Sequence, residues 1–169
     1  MNRRIESEAK TLLKEHHVDG VPVDIESIAR ALGVQVNFEA LENDISGLIL
    51  FENGSARVAI NNSQHPNRQR FTLAHEIGHL RLHTTEEDRV FVDKRFFRND
   101  ASSKGELKEE IEANAFAASV LMPEKFISEY VDRDQGITDI DVFRLATKFE
   151  VSEQAMTLRL VKLGFIEPD

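Results

Sequence analysis

Residues 66–83 read PNRQRFTLAHEIGHLRLH, and this stretch predicts a helix. Proline is favoured at the first position of a helix, because the N–H that it lacks would have no helical partner there. The apolar residues of the stretch fall on nearly all sides of such a helix: Phe71, Leu73, Ala74, Ile77, Leu80 and Leu82. A helix that is apolar all round is buried rather than solvated. We therefore expect residues 66–83 to form a buried helix.

This helix contains the pattern His75-Glu76-Ile77-Gly78-His79. Residues four apart lie on one face of a helix, about 6 Å apart along its axis, so both imidazoles can bind one metal ion. Glu76 can reach a water molecule on that metal and take its proton, a geometry that suits zinc. By chance the pattern would occur in roughly one chain in forty of this composition. However, burying two histidines and a glutamate is costly unless they share a partner, and a metal ion is the simplest one.

A third protein ligand is expected from a second helix, predicted over residues 106–121. Glu110 lies on its apolar, small-residue face together with Ala113 and Ala117, and that face must turn inward. Asn114, one turn beyond Glu110, can hydrogen-bond a metal ligand from outside the coordination sphere. The periodicity therefore favours Glu110 as the third ligand.

Two other glutamates of this helix stay open as alternatives. Glu112 lies about 160° from Glu110, on the face expected to meet solvent, where it would form an exposed pair with Lys108. Glu109 lies at the edge of the buried face. Gly78 costs about 1 kcal/mol relative to alanine within a helix, and we expect its lack of a side chain to let another element approach closely.

Two histidines flank the motif helix. His65 precedes it, and we expect this residue at the surface. His83 lies just past the motif, about 80° from His75 around the helix. It is a weaker candidate for a group that approaches the site, with a surface position as the alternative.

The rest of the chain predicts an α+β fold, with a small antiparallel sheet packed against a helical core. Asn53-Gly54 indicates a hairpin between strands at 45–51 and 56–60. Residues 45–51 are also a candidate strand for pairing with an extended substrate.

The other predicted strands are 34–38 and 89–92, and the other predicted helices are 3–17, 25–32, 123–132, 139–149 and 152–163. We expect one domain over residues 1–135 and a helical extension over 136–169.

Composition narrows the function classes. The 169 residues contain no cysteine, so disulfides, thiolate metal sites and cysteine nucleophiles are excluded. The net charge of −9 disfavours non-specific DNA binding. The sequence has no apolar run long enough to span a membrane and no secretory signal near Met1, so we expect a cytoplasmic protein.

Several motifs together resemble the ImmA/IrrE family of metallo-endopeptidases. They are HEIGHL at 75–80, EIEANAFAA at 110–118, LMP at 121–123, VPVD at 21–24, SG at 46–47, INN at 60–62 and RFTLA at 70–74. The resemblance implies a zinc peptidase in which His75, His79 and Glu110 hold the metal and Glu76 is the catalytic base. It also implies a helix-turn-helix repressor as substrate, whose cleavage relieves repression in a mobile element or a stress response. Some members carry a separate DNA-binding or sensory domain, for which this chain has no room.

The C-terminal residues resemble a helix-turn-helix pair. Residues 137–169 hold four basic and six acidic residues, which is the wrong balance for binding phosphates. We therefore expect protein contact rather than direct DNA binding. Two functions are alternatives to a peptidase: an interaction module that antagonises a regulator without cutting it, and a DNA-binding regulator.

The identity of the metal ion also has an alternative, because Mn²⁺ could occupy the site instead of Zn²⁺.

Overall fold

A computed structural model describes residues 3–83, 89–94, 104–131 and 136–167, with the backbone alone described for 89–94 and 104–106. These residues form helices and strands in an α+β arrangement, which confirms the predicted fold class. The elements are α1 (Arg3–Glu15), α2 (Ile25–Ala31), β1 (Gln35–Glu39), β2 (Ile45–Glu52), β3 (Ser55–Asn61), α3 (Pro66–His83), β4 (Arg89–Lys94), α4 (Lys104–Leu121), α5 (Glu124–Ile127), α6 (Asp139–Phe149) and α7 (Glu153–Leu163).

The chain divides into two compact units. One unit consists of Met1–Val23 and Ala118–Asp169, and the other of Asp24–Ala117. The division expected from the sequence, into a domain over residues 1–135 and a helical extension over residues 136–169, stays a prediction.

The sheet has the strand order β1-β3-β2-β4. Its central hairpin joins β2 and β3 through Asn53 (φ 50°) and Gly54 (φ 74°), as the Asn-Gly signal predicts. The sheet is mixed rather than wholly antiparallel, because β3 lies between β1 and β2 and runs parallel to β1.

The hypothesis that β2 pairs with an extended substrate is wrong. Antiparallel ladders occupy both of its edges, with β3 on one side and β4 on the other. An inner strand has no free row of backbone groups to offer a further strand.

Asn61, at the end of β3, connects two loops of the second unit. Its fully buried side chain donates to the carbonyl oxygen of Ile45 at 2.8 Å, and its Oδ1 accepts from the Ser63 amide at 3.1 Å and from the Ser63 hydroxyl at 2.7 Å. A buried amide of this kind is stable only when its donors and acceptor are satisfied. The start of β2 is thereby fixed to the segment that leads into α3.

Helix α3 runs from Pro66 to His83, as predicted, and every residue from Thr72 to His79 is buried. Glycine allows close packing on two sides of this helix. A Cβ atom on Gly47 of β2 would lie 2.5 Å from Cγ2 of Thr72, and one on Gly78 would lie 3.1 Å from Cα of Ala113 in α4. The expected close approach at Gly78 is confirmed.

A buried ion pair connects the first and last helices of the other unit. Arg159 of α7 donates to both carboxylate oxygens of Glu6 in α1, at 2.5 and 3.1 Å, and its Nε donates to the carbonyl oxygen of Met122 at 3.0 Å. Ser119 donates a further hydrogen bond to Glu6 at 2.8 Å. Burial alone would raise the pKa of Glu6, but the hydrogen bonds and charge of Arg159 outweigh it and lower the pKa.

The C-terminal helices α6 and α7 have the predicted bounds to within one residue. Thr138 and Asp141 form a capping box at the start of α6, and Ser152 caps α7, which ends at Gly164. In the described part of the chain, no helix is both long enough and apolar enough to cross a membrane.

Gly78→Ala tests the close packing of α3 on α4. We expect the free energy of unfolding to fall by about 1 kcal/mol. The added methyl meets the backbone of Ala113, which cannot rotate away, and an overpacking cost of about 1–3 kcal/mol exceeds the helix-propensity gain of about 1 kcal/mol. Gly20→Ala is the control for urea unfolding, because nothing lies within 4 Å of a Cβ at Gly20. Equal stability of the two variants would contradict the packing argument.

Arg159→Met tests the buried ion pair. Near neutral pH we expect a loss of about 3–5 kcal/mol in unfolding free energy, because the Glu6 carboxylate stays buried without its cation. The folded-state pKa of Glu6 is lowered, so the pair stabilises the wild type above the unfolded-state value of 4.5, and this stabilisation is lost as pH falls through the folded-state pKa. The deficit of the variant should therefore shrink in acid.

Arg144→Met, which removes an arginine with a 74% exposed side chain, is the control for these urea titrations. It should change the unfolding free energy by less than about 1 kcal/mol. An Arg159→Met deficit that stayed constant with pH would contradict the assignment.

Candidate metal centre

Three side chains from α3 and α4 meet at one point of the second unit. The Nε2 atoms of His75 and His79 lie 3.0 Å apart, and each lies 3.2 Å from a different carboxylate oxygen of Glu110. The two histidine side chains are 2% and 1% exposed, whereas that of Glu110 is 30% exposed. The cluster is therefore closed on the histidine side and accessible on the carboxylate side.

Asn114 lies beside the outer nitrogen of His75. Its Oδ1 atom is 3.1 Å from His75 Nδ1, one helical turn along α4 from Glu110. An amide oxygen can only accept, so His75 would donate from Nδ1 to Asn114 when a metal ion takes the lone pair of Nε2. This is the contact that the sequence predicts for Asn114.

The outer nitrogen of His79 faces another histidine. His83 Nδ1 lies 3.2 Å from His79 Nδ1, and His83 Nε2 lies 3.0 Å from Oε2 of Glu112. His83 is thus buried beside the cluster, whereas His65 is exposed, as expected.

The exposed position predicted for Glu112 is wrong. Its side chain is only 14% exposed, and Lys108 Nζ lies 3.9 Å away, farther than His83. Helical periodicity gives only the angle between Glu112 and Glu110, whereas α4 is buried over a wider arc that also includes the Glu112 side chain. The spacing of His83, one turn beyond His79 on a buried helix, was the available signal that a polar partner must exist.

Glu76 follows His75 on α3 and is fully buried. The two glutamates that the sequence left open as alternative third ligands do not join the cluster. Glu112 contacts His83 instead. Glu109 is not part of the group of possible metal ligands found among the described residues, which consists of His75, His79 and Glu110.

The protonation states suit a cation. Burial lowers the pKa of His79, which keeps the imidazole neutral. Burial raises the pKa of Glu110, but its hydrogen bonds with His75 and His79 outweigh burial and lower the pKa from 4.5 to about 2. At neutral pH the cluster thus offers a neutral nitrogen and an ionised oxygen, the forms that bind metals.

The donor set fits a divalent metal ion. Ligands about 2.0–2.1 Å from a tetrahedral ion lie roughly 3.3 Å from one another, close to the observed separations of 3.0 to 3.2 Å. Two imidazole nitrogens and a carboxylate match the ligands that zinc takes in catalytic sites.

Comparisons with known proteins show which families and relatives the chain resembles. The family described as the IrrE N-terminal-like domain, Peptidase_M78, matches residues 29–161. The radiation response metalloprotease IrrE of Deinococcus radiodurans is 38% identical over 107 residues, which are 62% of this chain and 30% of that protein. An uncharacterized immunity region protein 2 of Bacillus phage phi105 is 28% identical over 102 residues, 60% of each chain.

Among solved structures, a Mycobacterium tuberculosis transcriptional regulator has a similar fold, with a TM-score of 0.61 and 17% identity over 94% of this chain and 47% of that one. The chain therefore spans 60% or less of the length of each of these relatives. The match over most of its residues and the metalloprotease relative establish that the chain belongs to the Peptidase_M78 family of metallopeptidases, with the IrrE N-terminal-like domain.

Proposed function

We propose that the chain is a zinc-dependent endopeptidase that cleaves a helix-turn-helix transcriptional repressor. The observation that carries the proposal is the convergence of His75 Nε2, His79 Nε2 and the Glu110 carboxylate at 3.0 to 3.2 Å. These three residues would hold the metal. When bound, a zinc ion supplies Lewis-acid activation of water and of the scissile carbonyl.

The roles of the protein groups follow from their positions. Glu76, next to His75 on a buried helix, would accept a proton from the attacking water and pass it to the leaving amine. Its side chain is fully buried beside the first proposed ligand. Asn114 would hold the His75 ring with its lone pair toward the metal.

The substrate class rests on the relatives. One relative is described as a radiation response metalloprotease and another as a phage immunity region protein. We propose a repressor as the partner, cleaved so that a mobile element or a stress response is released. A cytoplasmic site of action is part of this proposal.

Incubation of zinc-loaded protein with helix-turn-helix repressors of the host genome, followed by intact-mass spectrometry, tests the proposal. Fragments with defined ends support the endopeptidase. A stable complex without fragments would instead support an interaction module, and a salt-sensitive shift of duplex DNA would support a DNA-binding regulator.

Glu76→Gln separates metal binding from proton transfer. We expect the variant to retain zinc, because the three proposed ligands are unchanged, and to cleave about 10²–10⁴-fold more slowly, because the amide cannot take the proton. Elemental analysis gives the metal content, and the rate of fragment formation gives the activity. Loss of zinc from a folded variant would contradict the role given to Glu76.

Glu110→Ala tests the third ligand. We expect the purified variant to lose its zinc, because two imidazoles alone make an incomplete site. Glu109→Ala, one residue away on the same helix and outside the cluster, is the control and should retain one ion per chain. Retention of zinc by Glu110→Ala together with loss from Glu109→Ala would reverse the assignment.

A further inference from the structure

A line of polar side chains extends away from the metal centre on the side of His79. It runs from His79 Nδ1 to His83 Nδ1 at 3.2 Å, and from His83 Nε2 to Glu112 Oε2 at 3.0 Å. The side chains are 1%, 5% and 14% exposed, in that order. The line therefore begins at the cluster and ends near the surface, at a carboxylate.

The line gives each ring nitrogen of His83 a polar neighbour. A carboxylate oxygen accepts, so Nε2 of His83 can donate to Glu112, and Nδ1 of His83 faces Nδ1 of His79. When Nε2 of His79 binds a metal ion, the ring proton of His79 is on Nδ1 and can be donated to Nδ1 of His83. The contact would then hold the His79 ring with Nε2 toward Glu110 and His75.

We propose that His83 and Glu112 are positioning residues that hold the ring of His79 in the orientation that presents Nε2 to a metal ion. This inference rests on the proposed function, because it takes His79 Nε2 as a metal ligand. Asn114 makes the corresponding contact with His75 by a single amide oxygen. Partners of this kind, outside the coordination sphere, typically change metal affinity about 10–100-fold.

The position of Glu112 gives the pair a second consequence. Glu110 and Glu112 belong to the same helix, α4. Glu110 lies against Nε2 of His79, and Glu112 contacts His83, which lies against Nδ1 of His79. Helix α4 thus acts on both nitrogens of the His79 ring. The charge of Glu112 is compensated only weakly by Lys108, whose nitrogen lies 3.9 Å away on a 74% exposed side chain. The contact with His83 at 3.0 Å is shorter than the one with Lys108.

Paired variants separate the hydrogen bond from packing. His83→Leu fills the space but removes the acceptor, whereas His83→Asn can place an amide oxygen near the former Nδ1 position. Glu112→Leu removes the last acceptor, and Glu112→Gln keeps a neutral one. Glu109→Gln is the matched control on the same helix, outside this line of contacts.

The first measurement is the zinc dissociation constant, obtained by competition with a chromophoric chelator. We expect His83→Leu and Glu112→Leu to bind zinc about 10–100-fold more weakly. His83→Asn and Glu112→Gln should recover most of this loss, and Glu109→Gln should bind like the wild type. Thermal unfolding of the metal-free variants shows whether each one folds. If a leucine variant does not fold, the alanine variant at the same position, His83→Ala or Glu112→Ala, takes its place with the same expected loss of zinc affinity.

The second measurement is the ¹⁵N spectrum of the His79 ring in the zinc-loaded protein. We expect the Nδ1–H signal of the wild type to be protected from exchange with solvent by its hydrogen bond to His83, and His83→Leu to lose this protection. Unchanged protection and an unchanged zinc affinity in a folded leucine variant would overturn the inference. A wild type that binds no zinc would instead overturn the proposed function, so the two failures are distinct.

Discussion

The second unit depends on one constraint, the burial of two imidazoles and a carboxylate at a single point between α3 and α4. Such groups are costly to bury unless they share a partner, so the helices must meet at a fixed distance. Glycine satisfies this requirement on both sides of α3: Gly47 lets β2 approach Thr72, and Gly78 lets α4 approach through Ala113. The small-residue positions are thus a consequence of the site, because a wider separation would take the Glu110 carboxylate away from the histidines.

Helix α4 contributes more to the site than one donor. Glu110 lies against both histidines, Asn114 against the outer nitrogen of His75, and Glu112 against His83. Any displacement of α4 along its axis would change all of these contacts together. A site built from two rigid helices in this way keeps its geometry through backbone hydrogen bonds rather than through loops, which is the arrangement that precise chemistry requires.

Sequence reasoning located the elements well where the local signals were strong. The bounds of α3 and α6, the Asn-Gly hairpin and the close approach at Gly78 were all predictable, because proline, capping residues and glycine act over a few residues. The parallel pairing of β1 and the inner position of β2 were not predictable, since strand order depends on contacts between distant segments. The same limit applied to Glu112: helical periodicity gives the angle between two side chains, but not how much of the helix its neighbours cover.

The other unit bears on the choice of partner through its charges. Arg159, one of the four basic residues in 137–169, is buried against Glu6 and cannot reach a phosphate. Arg144 lies 3.9 Å from Asp141, and Lys148 lies 4.5 Å from the ring of Tyr130, so both have neighbours within the unit. Because nucleic-acid binding requires a patch of available cations, the helix-turn-helix-like pair is better suited to contact a protein than to bind DNA. The electrostatics therefore favour a proposal in which the regulator, and not its operator, is the molecule recognised.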